Sequence, residues 1–226
     1  MNTSNTTGHA LLATIIIGII GALTVNAGID INLSADVEAT ASAMLEAETR
    51  LRGRAYLSLL VLGLNILFLV GVFRLLKTKG PLLAGWSLLV GLGAGLLSLV
   101  GAVAAMNVAE LAGGVAYQSL ASAEQRLLLA GLQATSDYTS FHLSLVLSSV
   151  SNAGFFWLFL RAGGLPKITA GWGFFASLFV AVSIVARDFI PAFGHDLVTM
   201  AFMLANLTAL IATGIYLVVW GKSELT

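Results

Sequence analysis

No cysteine occurs among the 226 residues of this chain. That excludes disulfides, thiolate metal sites and a cysteine nucleophile. Charge is also scarce. Only 10% of the residues are Asp, Glu, Lys or Arg, against about 25% in an ordinary soluble domain. Charge is costly in hydrocarbon, so the deficit points to a surface that faces lipid. The 11 basic and 11 acidic residues cancel and form no basic run, which removes nucleic acid as a partner. Signatures of chemistry are missing too: there is no GxxxxGK[ST], no GxSxG and no HxxxH or HExxH. His9 and His195 fall at helix edges, so no two histidines stand ready for haem. No acid falls mid-membrane, where a proton- or sodium-driven carrier keeps its coupling carboxylate.

What the chain does have is apolar length. Hydrophobic residues make up 58% of it, and its mean hydropathy is +0.95. Six stretches run for roughly twenty residues or more with almost no charge, enough to span about 30 Å of hydrocarbon. They predict helices at about 10–27, 55–76, 82–108, 138–160, 168–186 and 197–220. The fold expected is all-α: a polytopic transmembrane bundle of six helices, residues 1–226 forming one domain, with short amphipathic helices in the outer loops. Glycine is abundant (24) and proline rare (3), which favours close helix packing in lipid. Residues 1–9 hold no lysine or arginine, so the first stretch reads as a retained helix rather than a signal peptide.

Two polar segments interrupt the pattern. In 28–54, Ser34, Asp36 and Glu38 read as a helix start, and Val37, Ala41, Met44, Leu45 and Leu51 recur at helical spacing. Arg50, Arg52 and Arg54 then suit a helix C-terminus. The segment reads as an interfacial amphipathic helix or as a solvated loop. In 109–137, Glu110, Glu124, Gln125, Arg126 and Gln133 surround the apolar run 127–132, which is too short to span.

Lysine and arginine set the orientation. With both termini cytoplasmic, Arg74, Lys77, Lys79, Arg161, Lys167 and Lys222 lie inside, and every acid except Glu224 lies outside. The location expected is the inner (plasma) membrane. Trp86, Trp157, Trp172 and Trp220 then fall near inner ends and Tyr138 near an outer end, as an interfacial belt requires. The turns Lys79-Gly80-Pro81 and Gly164-Leu165-Pro166-Lys167 resemble each other and hint at repeated hairpins.

The run from Phe141 and His142, then from Gly154 through Arg161-Ala-Gly-Gly-Leu165-Pro166-Lys167 to Gly171, resembles the DUF4386 family of bacterial membrane proteins. The layout upstream is also similar: a first helix, an acid-then-arginine stretch from Glu46 to Arg54, and a helix closing on Leu-Leu-Lys. Lys167 stands where arginine is commoner in the family, and the loop after the third helix is longer. The resemblance implies the fold and, because the family is of unknown function, no reaction.

The candidate polar site comprises His142, Asp137, Arg187, Asp188, Asn152, Asn65 and Asn206. Histidine inside a helix can relay a proton or bind a ligand near neutral pH. The plainer reading is a neutral imidazole bonded to a neighbouring helix. Asn65, Asn152 and Asn206 are either parts of a polar network or ordinary amides that join helices. Arg187 is expected to pair with Asp188, Asp137 or Glu110, and the outer helix ends, where Arg54, Glu110, Asp137, His142, Arg187, Asp188 and His195 form one cluster if the bundle closes, are expected to carry any small-molecule site. Zinc on His142, His195 and an acid lacks a recognisable spacing, so no metal and no cofactor are assigned. The implied partners are membrane lipids, a small apolar ligand and a second copy of the chain. Three functions stay open: a non-enzymatic protein binding a lipid, another apolar molecule or a membrane partner; a membrane enzyme acting on a lipid or isoprenoid; and a small transporter or channel. Missing catalytic signatures weigh against the enzyme.

Overall fold

The structure, a computed structural model, describes residues 2–34 and 36–219. Trp220, Lys222 and Glu224, used above for the aromatic belt and the charge count, lie outside the described residues. Helix α1 spans Thr3–Leu23, and two short helices follow, α2 at Ile31–Ser34 and α3 at Val37–Leu45. Helices α4 (Glu48–Leu76) and α5 (Pro81–Gly113) lead to the short α6 at Val115–Leu120. Then come α7 (Ala123–Ala162), α8 (Lys167–Arg187), a 3-10 turn at Pro191–Gly194 and α9 (Asp196–Val219). No strand occurs among the described residues.

Six of these helices are long and apolar enough to cross a bilayer. Their most apolar windows are only 28% to 50% buried within the protein. Leucines and isoleucines such as Ile20, Leu59, Leu89 and Leu143 are therefore left exposed. Water would penalise each of them, and lipid does not. The chain is a multi-pass membrane protein.

Five helix ends depart from the sequence expectations. α1 begins at Thr3 rather than near residue 10. Thr7 donates to the Thr3 carbonyl at 2.7 Å, and Ser4 donates across to the Leu217 carbonyl of α9 at 2.9 Å. These polar residues are thereby satisfied inside a helix. α4 begins at Glu48, so Arg50, Arg52 and Arg54 form its opening turns and do not close an interfacial helix. They are held by partners: Arg52 by Glu48 at 3.0 Å and Glu110 at 2.9 Å, and Arg50 by the Thr24 and Ala27 carbonyls. α3 itself is shorter than expected and is capped by Asp36, which accepts from Ala39 N at 2.9 Å. α5 runs past residue 108 to Gly113.

The largest departure is α7, which starts at Ala123 rather than near Tyr138 and runs for 40 residues. Ser122 and Gln125 form a reciprocal cap. The Ser122 hydroxyl accepts from Gln125 N at 3.2 Å, and the Gln125 side chain accepts from Ser122 N at 2.8 Å. The apolar run 127–132 is thus part of a long helix.

The described chain forms two compact units. Unit 1 comprises residues 2–15, Gly63–Gly95 and 144–219, and unit 2 comprises Ile16–Leu62 and Leu96–Leu143. α1, α4, α5 and α7 supply residues to both. The core of unit 1 packs Phe68, Leu69 and Val72 of α4 against Phe155, Phe156 and Phe159 of α7. There α5 and α7 approach closely: Ser151 donates to the Ser87 carbonyl at 2.6 Å, and a Cβ at Gly154 would stand 2.1 Å from the Ser87 hydroxyl. The core of unit 2 joins Met44 of α3, Leu51 of α4, Val108 of α5 and Ala134 of α7 to Ile29. Throughout the long helices, hydroxyls donate to carbonyls one turn back, as at Thr14, Ser58, Ser177 and Thr213.

Candidate functional site

Unit 2 contains a buried charge cluster. Arg54 of α4 donates to Asp137 of α7 and, at 3.2 Å, to the Ile29 carbonyl, with Asp30 at 3.5 Å. The Arg54 and Asp137 side chains are each only 8% exposed and that of Asp30 12%. Asp30 also accepts from the backbone N and the side-chain amide of Asn32, both at 2.9 Å. Gly101 of α5 makes room for the cluster, because a Cβ there would stand 2.1 Å from Asp137 Oδ1. A buried arginine needs this many acceptors, since an unpaired charge in hydrocarbon is prohibitive. The cluster ties α4, α7 and the segment before α2 together, while the side-chain oxygen of Asn32 beside it is buried without a hydrogen bond among the described residues.

His142, on the same helix as Asp137, is half-buried. Its Nδ1 lies 2.7 Å from the Tyr138 carbonyl, which can only accept, so Nδ1 carries the hydrogen. The Tyr138 ring lies 4.1 Å away and the Phe141 ring 5.4 Å. The imidazole is therefore oriented by its own helix.

The remaining residues of the predicted site belong to unit 1. Arg187 lies 3.7 Å from Asp188, which is 70% exposed, at the end of α8. Asn65 and Asn152 are half-buried on α4 and α7. Asn206 of α9 has its carbonyl oxygen buried without a hydrogen bond among the described residues. Within unit 2, then, the structure brings Asp137 together with Arg54 and Asp30, partners separated from it by long stretches of sequence.

From the sequence, the basic turns serve orientation and hint at a repeat, with no ligand attached to them. In unit 1, a cavity of about 960 Å³ opens beside two of them, near the upper end of the range for small-molecule sites. It is lined by Lys79 and Gly80 of the turn after α4, by Leu83 and Trp86 of α5, and by Trp157 and Arg161 of α7. The Arg161 guanidinium carbon lies 6.0 Å from the centre of the Trp157 ring, within cation–π range. A second hollow of about 280 Å³ shares Leu83, Trp86 and Trp157 with the first. It continues over Val150, Ala153 and Gly154 of α7 to Phe174 and Leu178 of α8. Together they make a groove with a cationic mouth, an aromatic middle and an apolar floor. The sequence signal was present: Trp157 and Arg161 stand four residues apart on one helix face, and Lys79 closely precedes Trp86.

The family profile described as a domain of unknown function, DUF4386, matches residues 6–221. The chain belongs to the DUF4386 family. No curated protein and no solved structure matches it. Membership therefore brings a fold-wide kinship to this DUF4386 chain and no activity. Its function has to be argued from its own groove and charges.

Proposed function

We propose that this DUF4386 chain is a membrane protein that binds a lipid, seating an acyl chain in the groove of unit 1. The observation that carries the reading is the groove's apolar course. From Ala162 to Val150 along α7 it covers about 18 Å at 1.5 Å per residue. That is close to one leaflet, half of about 30 Å of hydrocarbon. Its walls are leucine, valine, alanine, phenylalanine and two tryptophans, which favour an alkyl chain by simple burial. No lining residue carries a carboxylate, an imidazole or a hydroxyl. The groove thus offers binding surface without an acid–base pair, which favours a binding protein over a lipid-modifying enzyme.

Native mass spectrometry of the protein, extracted in a mild detergent, should show a retained lipid. Val150→Trp, which fills the floor from a half-buried position, should lower that retention while the protein stays monodisperse. Lipid-free wild-type protein, or undiminished lipid on the folded variant, would sink the reading.

A further inference from the structure

We infer that the lipid is anionic, its phosphate held between Lys79 and Arg161 at the mouth of the groove. The inference rests on the groove seating a lipid and adds what its mouth selects.

Both cations line the cavity, and no carboxylate does. Neither is within ion-pair distance of an acid among the described residues. This is unlike Arg52 and Arg54 of unit 2, whose charges are already met by Glu48, Glu110, Asp30 and Asp137. Arg161 also lies over the Trp157 ring, 6.0 Å from its centre, at the limit of cation–π range. A guanidinium is planar and presents forked donors, the geometry that grips phosphate oxygens in pairs. Lys79 adds a compact, mobile charge from the facing turn. Between them Pro81, Leu82 and Leu83 open α5, and a helix N-terminus carries partial positive charge of its own.

The wider field points the same way. Among the described residues of unit 1, the cations Arg74, Lys77, Lys79, Arg161, Lys167 and Arg187 face only two carboxylates, Asp188 and Asp196. Orientation by the positive-inside rule accounts for basic turns. It does not account for two cations on different elements that border one cavity, with tryptophans and an apolar floor behind them. Basic pockets between transmembrane helices are suited to anionic headgroups.

A phosphate anion could come from a lipid or from solution. The floor decides between them, because a soluble phosphate would leave the apolar course from Leu83 to Leu178 unfilled.

The test is a titration of the delipidated, detergent-solubilised full chain, read by native mass spectrometry. The probes are phosphatidylglycerol, phosphatidylcholine with matched chains, glycerol 3-phosphate and inorganic phosphate. At about 1 kcal/mol per surface cation, two cations predict a preference for phosphatidylglycerol over phosphatidylcholine of about 30-fold. Lys79→Gln/Arg161→Gln should bring that ratio close to one, weakening phosphatidylglycerol far more than phosphatidylcholine. Both positions are exposed, so the fold should survive. Lys77→Gln/Lys167→Gln removes as much charge from residues that do not line the cavity, and should keep the preference. Binding of both lipids without discrimination, or a preference that survives in the first variant or disappears in the second, overturns the headgroup assignment alone. Binding of neither lipid overturns the lipid-binding reading itself. Glycerol 3-phosphate or inorganic phosphate binding as tightly as phosphatidylglycerol would make the ligand a soluble anion.

Discussion

Removing the Arg54 guanidinium would leave Asp30 and Asp137 facing each other without a cation in the interior of unit 2. Breaking a buried pair from one side costs about 3–5 kcal/mol, because the remaining charge keeps its desolvation penalty. Arg54→Ala should therefore lower thermal stability in detergent sharply. Arg54→Met/Asp137→Leu removes both charges of the closer pair and replaces them with apolar volume, so it should be more stable than Arg54→Ala. Melting curves that order the two variants the other way would show that the cluster is not electrostatically coupled. Arg54 and Asp137 were both expected among the charged residues at the outer helix ends, but Asp30 was not. Asp137 was singled out as a candidate, but its partners lie on α4 and before α2, and proximity in space cannot be read from spacing along one helix. Arg187 illustrates the converse. Its neighbour Asp188 was an evident partner, yet the pair is long and open to solvent on one side, where ion pairs contribute little.

At the level of elements, the membrane-crossing segments were legible because length and apolarity alone define them. Their ends were not. Hydropathy ends where hydrophobic residues end, whereas a helix ends where its backbone groups find other partners. α7 shows the difference: its first turns are polar, and the Ser122–Gln125 cap starts the helix well ahead of its apolar part. Loss of such a cap costs about 1 kcal/mol. Ser122→Ala/Gln125→Ala should accordingly speed amide hydrogen exchange in the first turn of α7 and leave it unchanged around Phe155. Unaltered exchange in both places would show that packing, not the cap, fixes the start. The groove was hidden for a related reason. Lys79, Trp86, Trp157 and Arg161 each had a sufficient separate explanation, and only the approach of α5 to α7 through Ser87, Ser151 and Gly154 makes them neighbours.

For the whole molecule, charge is divided between the two units. In unit 2 the cations are Arg50, Arg52, Arg54 and Arg126, and they are outnumbered by Asp30, Asp36, Glu38, Glu46, Glu48, Glu110, Glu124 and Asp137. Unit 1 has the opposite balance. The positive-inside rule then predicts that the turns around Lys79 and Gly163 face the cytoplasm. Reporter fusions at both positions should read cytoplasmic, and a periplasmic signal at either would reverse the orientation.

The hydroxyls that donate one turn back along their own helices carry a consequence for biogenesis. Thr7, Thr14, Ser58, Ser177 and Thr213 satisfy themselves without a neighbour. To the insertion machinery each segment is therefore less polar than its composition implies, and it can enter the bilayer alone. Ser4, which needs the Leu217 carbonyl, and Ser151, which needs that of Ser87, cannot be satisfied across helices until those helices meet. The same functional group thus divides assembly into two stages: solitary hydroxyls let helices partition into lipid first, and reaching hydroxyls reward their association afterwards.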